Sequence, residues 1–144
     1  MKRFVPGALA GVAAAMLLAS PALAAPANVK VRVEGDAATL LPRTQVATDT
    51  QPVLVEGANS CPGTSAGGAL YKAVGGDLGG TWGSFGFELK RIKAETHDAA
   101  TSTYWAFWIN YEYASMGVCG QPVQEGDDLL FMPECYAAGE QPAA

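Results

Sequence analysis

Polar and apolar positions alternate strictly over Asn28-Val29-Lys30-Val31-Arg32-Val33-Glu34, with three valines on one face and Lys30, Arg32 and Glu34 on the other. A period of two is that of a half-exposed strand. Gly35-Asp36 predicts a turn, and Leu40 to Ala47 a returning hairpin partner in which Pro42 marks an edge or a bulge. Val53 to Glu56 is a further short strand, closed by Gly57-Ala58-Asn59. The spacing then changes. Ala66, Ala69, Leu70, Ala73 and Val74 recur at helical intervals and predict one helix over Thr64 to Val74. Thr64 or Ser65 can cap it and Gly75-Gly76 ends it. Gly67 and Gly68 weaken it, so tertiary packing must hold it in place.

The stretch from Gly75 to Gly83 is rich in glycine. It lacks the lysine and hydroxyl pair of a phosphate-binding loop, and it reads as a turn-rich connector that pins Trp82 to the surface of the core. Phe85 to Glu95 predicts a strand with Phe85, Phe87 and Leu89 on one face. Ile92 falls out of phase, which predicts a bulge near Lys90-Arg91. Thr96 to Thr103 is a polar loop holding His97 and Asp98, and Asp128 to Met132 makes a last strand before Pro133.

The run YWAFWINYEY, Tyr104 to Tyr113, places six aromatic side chains in ten positions. Alternation assigns Trp105, Phe107, Ile109 and Tyr111 to one face and Tyr104, Ala106, Trp108 and Asn110 to the other. The first set is apolar and is assigned to the core, where four such side chains would contribute roughly 6 to 12 kcal/mol before entropy is counted. The second set is mixed. Trp108 and Tyr104 can pack beneath the helix or a loop, or form a flat platform for a ring-bearing ligand. Trp108, Tyr104 and Trp82 are the candidate ligand-binding residues. The element order predicts an α+β fold, a small β-rich, β-grasp-like mixed sheet with one helix across one face.

The front of the chain is an address. Lys2 and Arg3, the apolar run Phe4 to Leu18, and Ala22-Leu23-Ala24 match a cleaved signal peptide over residues 1–24. One domain of residues 25–136 would follow, with a disordered tail over 137–144 and no membrane span once the signal is removed. The product is expected outside the cytoplasm. Losing Lys2 and Arg3 takes the formal charge from −5 to −7, which argues against nucleic acid as a partner.

Cys61, Cys119 and Cys135 remain in the mature chain, and an oxidising compartment predicts at least one disulfide. Cys119 and Cys135 flank the turn Gln124-Glu125-Gly126-Asp127 and the strand after it, so they are the predicted pair. Cys61 is then a free buried thiol or a partner for one of the others. No metal site is expected, because Cys61 is remote in sequence and His97, the sole histidine, lacks ligand-like spacing. Nor is an enzyme expected. A lone histidine without a triad partner removes most acid–base schemes, and oxidation consumes at least two of the three thiols. The acidic group Glu125, Asp127 and Asp128 lacks EF-hand spacing and reads as a solvated turn.

The segment YWAFWINYEYASMGVCGQPVQEGDDLLFMPEC resembles a family of secreted bacterial domains of unknown function, grouped with the C-terminal domain of transcobalamin and intrinsic factor. The likeness rests on Tyr104-Trp105 opening a strand, on Gly117-Val118, and on the Gly126-Asp127 turn before Leu129-Leu130-Phe131. Upstream, Val31 to Gly35 is similar to the family's opening strand and Thr64 to Val74 to its helix. In transcobalamin-like proteins this domain is a lid over one face of cobalamin, and a helical-barrel domain, for which no room is expected in this chain, holds the other. The resemblance implies a secreted non-catalytic binding domain with cobalamin or another corrinoid-like ligand as candidate. The alternative is a cell-surface interaction or adhesion module that pairs by a sheet edge or an aromatic patch.

Overall fold

The computed structural model describes residues 25–136; the expected signal peptide and the expected tail lie outside them. β1 (Asn28–Glu34) and β2 (Thr39–Ala47) form the expected antiparallel hairpin. Opposite Arg32, both Pro42 and Arg43 are taken up between paired residues, a bulge that lets β2, an edge strand, carry its proline. β3 (Val53–Glu56) pairs with β4 (Asn59–Cys61), and α1 (Ala66–Ala73) follows. Ser65 caps α1, its hydroxyl accepting from the Gly68 amide at 3.1 Å.

The chain then forms a meander of β5 (Leu78–Gly83), β6 (Gly86–Ile92) and β7 (Glu95–Thr96). The glycine-rich stretch is therefore largely a strand and not a connector. A Cβ at Gly80 would stand 2.0 Å from the Glu88 carbonyl oxygen, so glycine is what lets β5 lie this close to β6. The expected bulge is present. Gly79 pairs with Arg91 and Gly80 with Leu89, which leaves Lys90 as the extra residue. Phe85 is not on the core face: it sits at the hairpin tip between β5 and β6 and is fully exposed. The polar loop contains a short 3-10 turn, Ala99–Thr101, capped by Asp98.

β8 (Thr103–Ile109) carries the aromatic run, β9 (Glu112–Tyr113) turns back on it, and β10 (Asp128–Cys135) completes the principal sheet in the order β2-β1-β10-β8-β9. β1 and β10 are parallel at its centre, and the other pairs are antiparallel. Pro133 falls beyond the paired stretch of β1, where its missing amide costs no ladder bond. The described residues make an α+β arrangement with a mixed sheet and one α-helix.

Val29, Val31, Val33, Leu129, Phe131, Phe107 and Trp105 make the inner face of this sheet, buried together with Ala66, Ala69 and Leu70 of α1. Phe107 stacks on Phe131 with ring centroids 5.3 Å apart. Tyr111 departs from expectation, being 87% exposed. Asn110 (φ 51°) and Tyr111 (φ 71°) are the two left-handed residues of a tight turn, so alternation ends at Ile109. Asn110 is held there by Asp127, which accepts from its side-chain amide at 2.8 Å, and by the Asp128 amide, which donates to it at 3.0 Å.

The disulfide joins Cys61 to Cys119, and Cys135 is free and exposed, which corrects the expected Cys119–Cys135 pair. Cys135 ends β10 opposite Thr103, whereas the Val118 carbonyl is tied to the Gly67 amide at the foot of α1. A Cβ at Gly67 would come within 2.8 Å of Cys61 Sγ and 3.3 Å of Cys119 Sγ. The helix glycine is what gives the disulfide room.

Candidate functional site

Two constellations of polar and aromatic side chains stand out. The first is the outer face of the principal sheet, away from α1. Register places Arg32, Leu130, Trp108 and Tyr113 side by side across four strands. A cleft of about 220 Å³ opens over this row, lined by Arg32, Arg43, Trp108, Tyr111, Asp128 and Leu130. Trp108 is half-buried and meets Tyr113 edge-on at 5.4 Å. Arg43 is paired with Asp128 and Arg32 with Glu34, so the charge at the rim is largely balanced.

Tyr104 lies on the same face. Its hydroxyl donates to Glu134 at 3.2 Å and accepts from the Tyr113 hydroxyl at 3.3 Å, and its ring lies 4.9 Å from that of Tyr136. Its pKa is raised, first by the hydrogen bond with Tyr113, then by burial and by the nearby Glu134 carboxylate. Tyr104 is thus held as a neutral phenol. Tyr104 and Trp108 are brought together through Tyr113. Trp82 is not with them. It lies in the β5–β6–β7 sheet against Phe87, ring centroids 5.5 Å apart, beside a separate cleft of about 270 Å³ shared with Phe85. Its indole nitrogen is buried without a hydrogen-bond partner.

The second constellation brings the lone histidine into a cluster that the sequence concealed. His97 is 2% exposed, and its Nε2 lies 2.7 Å from Glu95 Oε1 and 3.9 Å from Asp36 Oδ2. Its Nδ1 lies 2.8 Å from Thr103 Oγ1. Trp105 packs edge-on against the imidazole at 4.7 Å, while the Lys90 carbonyl exposed by the bulge accepts from both the His97 amide and the Trp105 indole. Glu95 is aimed by the Asp36 amide, which donates to it at 2.7 Å. Gly35 gives the carboxylate space, since a Cβ there would stand 2.2 Å from Glu95 Oε2. Glu95 and His97 are two apart in an extended segment, a spacing that puts both on one side. Asp36 arrives from the β1–β2 turn, far upstream, where spacing gives no signal.

The acidic turn is structural. Glu125 accepts from the Asn28 backbone and side-chain amides, and Asp127 accepts from the Gln124 amide at 2.7 Å.

No family model and no curated protein sequence matches the chain. Solved structures share its fold. A candidate metal binding protein of Ruminococcus gnavus ATCC 29149 superposes with a TM-score of 0.56 at 15% identity, over 77% of this chain and 99% of the other. Haptocorrin, solved in complex with Cbi, does so with a TM-score of 0.56 at 18% identity, over 78% of this chain. This chain corresponds to 26% of the length of haptocorrin. Among the described residues no helix is long and apolar enough to cross a membrane.

Proposed function

We propose that this chain is a non-catalytic binding domain that receives a flat, ring-bearing ligand on the outer sheet face, with a corrinoid as the named candidate. The observation that carries the reading is the position of Trp108. The inward-facing aromatics of β8 are buried, whereas Trp108 stands half-open beside Leu130 in a cleft that Arg32 and Arg43 also line. An aromatic ring held rigidly by Tyr113 offers a stacking surface at low entropic cost. Parallel first and last strands flanked by hairpins support a β-grasp-like frame for that face. The Cys61–Cys119 disulfide supports action outside the cytoplasm. Kinship of fold with haptocorrin supports a corrinoid in particular, though fold alone does not assign a ligand.

The size of the cleft sets the mode. At about 220 Å³ it falls below the usual range of pockets that enclose a small molecule. A ligand as broad as a corrin ring would lie across the face with its far side uncovered, so affinity for the isolated domain is expected to be modest. The test is titration of the purified protein with hydroxocobalamin, followed by tryptophan fluorescence and the corrinoid spectrum. Trp108→Ala should abolish the response while Trp82→Phe keeps it. It should also leave thermal stability nearly intact, against a loss of about 3–5 kcal/mol for Phe131→Ala in the core. Silence up to high micromolar ligand removes the corrinoid.

A second reading has its own observation. β9 pairs only with Trp108 and Ile109 of β8, so among the described residues Tyr104 to Ala106 have no ladder partner on that side. A partner strand added there would make the chain a surface interaction module, and pull-down competition by an extended peptide would favour it.

A further inference from the structure

We propose that Asp36, Glu95 and His97 form a binding site for one divalent first-row metal ion of the zinc kind. The inference is independent of the outer face and of any ring-bearing ligand.

One donor atom from each residue falls within 4.8 Å of the other two. In a tetrahedral zinc site with bonds of about 2.0–2.1 Å, neighbouring ligand atoms stand about 3.3 Å apart. Here Nε2 is 2.7 Å from Glu95 Oε1 and 3.9 Å from Asp36 Oδ2, and the two distances straddle that value. Opening the first and closing the second requires movement only of carboxylate termini. Asp36 is free to make it, being 70% exposed.

The surroundings are those of an oriented ligand. A metal-bound imidazole carries its hydrogen on the other nitrogen, donated to a fixed acceptor that sets the tautomer. Nδ1 of His97 faces the Thr103 hydroxyl at 2.8 Å, and the Thr101 hydroxyl lies 2.6 Å beyond that. A hydroxyl can accept or donate by rotating. Thr103 can therefore donate to Nδ1 when Nε2–H points at Glu95. It can accept from Nδ1–H when Nε2 holds a metal, passing its own hydrogen to Thr101. The proton moves from Nε2 to Nδ1 and no buried group loses its partner. Trp105 and the Lys90 carbonyl hold the ring plane, and the Asp36 amide holds Glu95.

The donor set selects the ion. One imidazole with two carboxylates suits zinc and its first-row neighbours, whereas calcium and magnesium prefer oxygen alone. Three protein ligands on a site that Asp36 leaves open to water leave at least one position for an exogenous ligand.

The test is calorimetric titration of the chelator-treated protein with Zn²⁺, with Co²⁺ as a spectroscopic stand-in. One equivalent should bind, raise the melting temperature, and with Co²⁺ give visible d–d bands and quench Trp105. Asp36→Asn alters only an exposed carboxylate and should weaken binding at least tenfold without changing the metal-free melting temperature. Thr103→Val should weaken it by about 10–100-fold, as loss of an orienting partner does. Absence of binding by Zn²⁺ and Co²⁺ at millimolar concentration overturns the proposal and leaves a hydrogen-bonded pin. So does binding that Asp36→Asn leaves unchanged, or a preference for Ca²⁺ or Mg²⁺.

Discussion

Replacing Cys61 and Cys119 together by alanine removes a link between positions 58 residues apart in sequence. In the chain-entropy description, opening a loop of that length costs about 4 kcal/mol. Domains of this size hold roughly 5–15 kcal/mol against unfolding in all, so the disulfide is a large share of the total. Packing adds to the loss. Cys61 is fully buried, and its sulfur fills the space that Gly67 leaves beside α1. Urea unfolding of the oxidised protein, the reduced protein and the double variant measures the effect. The reduced protein should lie about 4 kcal/mol below the first, and the double variant lower still, because it also loses the buried sulfur. Cys135→Ala is the control: it is exposed and unpaired, and should change stability by about 0.5 kcal/mol or less. Non-reducing peptide mapping should recover Cys61 linked to Cys119. A fragment joining Cys119 to Cys135, or a double variant within about 1 kcal/mol of the oxidised protein, would refute the account of how α1 is fastened.

Two further outcomes are expected. Gly80→Ala should destabilise by about 1–3 kcal/mol, because the new methyl meets the Glu88 carbonyl, a backbone atom that cannot swing aside; equal urea midpoints for the two proteins would contradict the close β5–β6 approach. Tyr104 has a pKa raised from its ordinary 10.0, so the native state holds that proton after the unfolded chain has released it. Its contribution is complete below pH 10.0 and is lost as pH rises above it. The pKa of Tyr136 is also raised, first by burial, so tyrosinate absorbance should show two late-ionising phenols, of which Tyr104→Phe removes one.

The alternating strands β1 and β8 were readable from period two, and α1 from period 3.6, because each buries one face against a common core. The bulge at Lys90 was readable too, since Ile92 could reach the core only if one residue were taken up before it. Glycine misled where it served packing. Its density between Gly75 and Gly83 suggested turns, yet Gly80 is in a strand because the neighbouring strand is close. Tyr111 misled in the opposite sense: an aromatic at a core-phased position occupies a left-handed turn residue, held by Asn110 bonds to a loop distant in sequence. The expected cysteine pairing rests on proximity in sequence, whereas the disulfide joins residues 58 apart that the fold brings together beside α1. Of the candidate ligand residues, Trp108 and Tyr104 share a face by strand phase, which is local information. The separation of Trp82 from them follows from which sheet it joins, which is not.

β8 explains how two candidate sites can coexist on so small a frame. Its inward residues Trp105 and Phe107 are committed to the core, and Trp105 also sets the His97 ring. Its outward residues Tyr104 and Trp108 are committed to the open face. Thr103, at its start, reaches His97 from the corner where β7 and the 3-10 turn meet it. One strand therefore fixes both constellations through different side chains, and the pleat between them is filled by Ala106, which is buried. A change on the outward positions removes no inward contact, and a change at Asp36 touches neither. Because the face, the metal corner and the disulfide draw on separate residues, each can be perturbed while the other two remain as internal controls for folding.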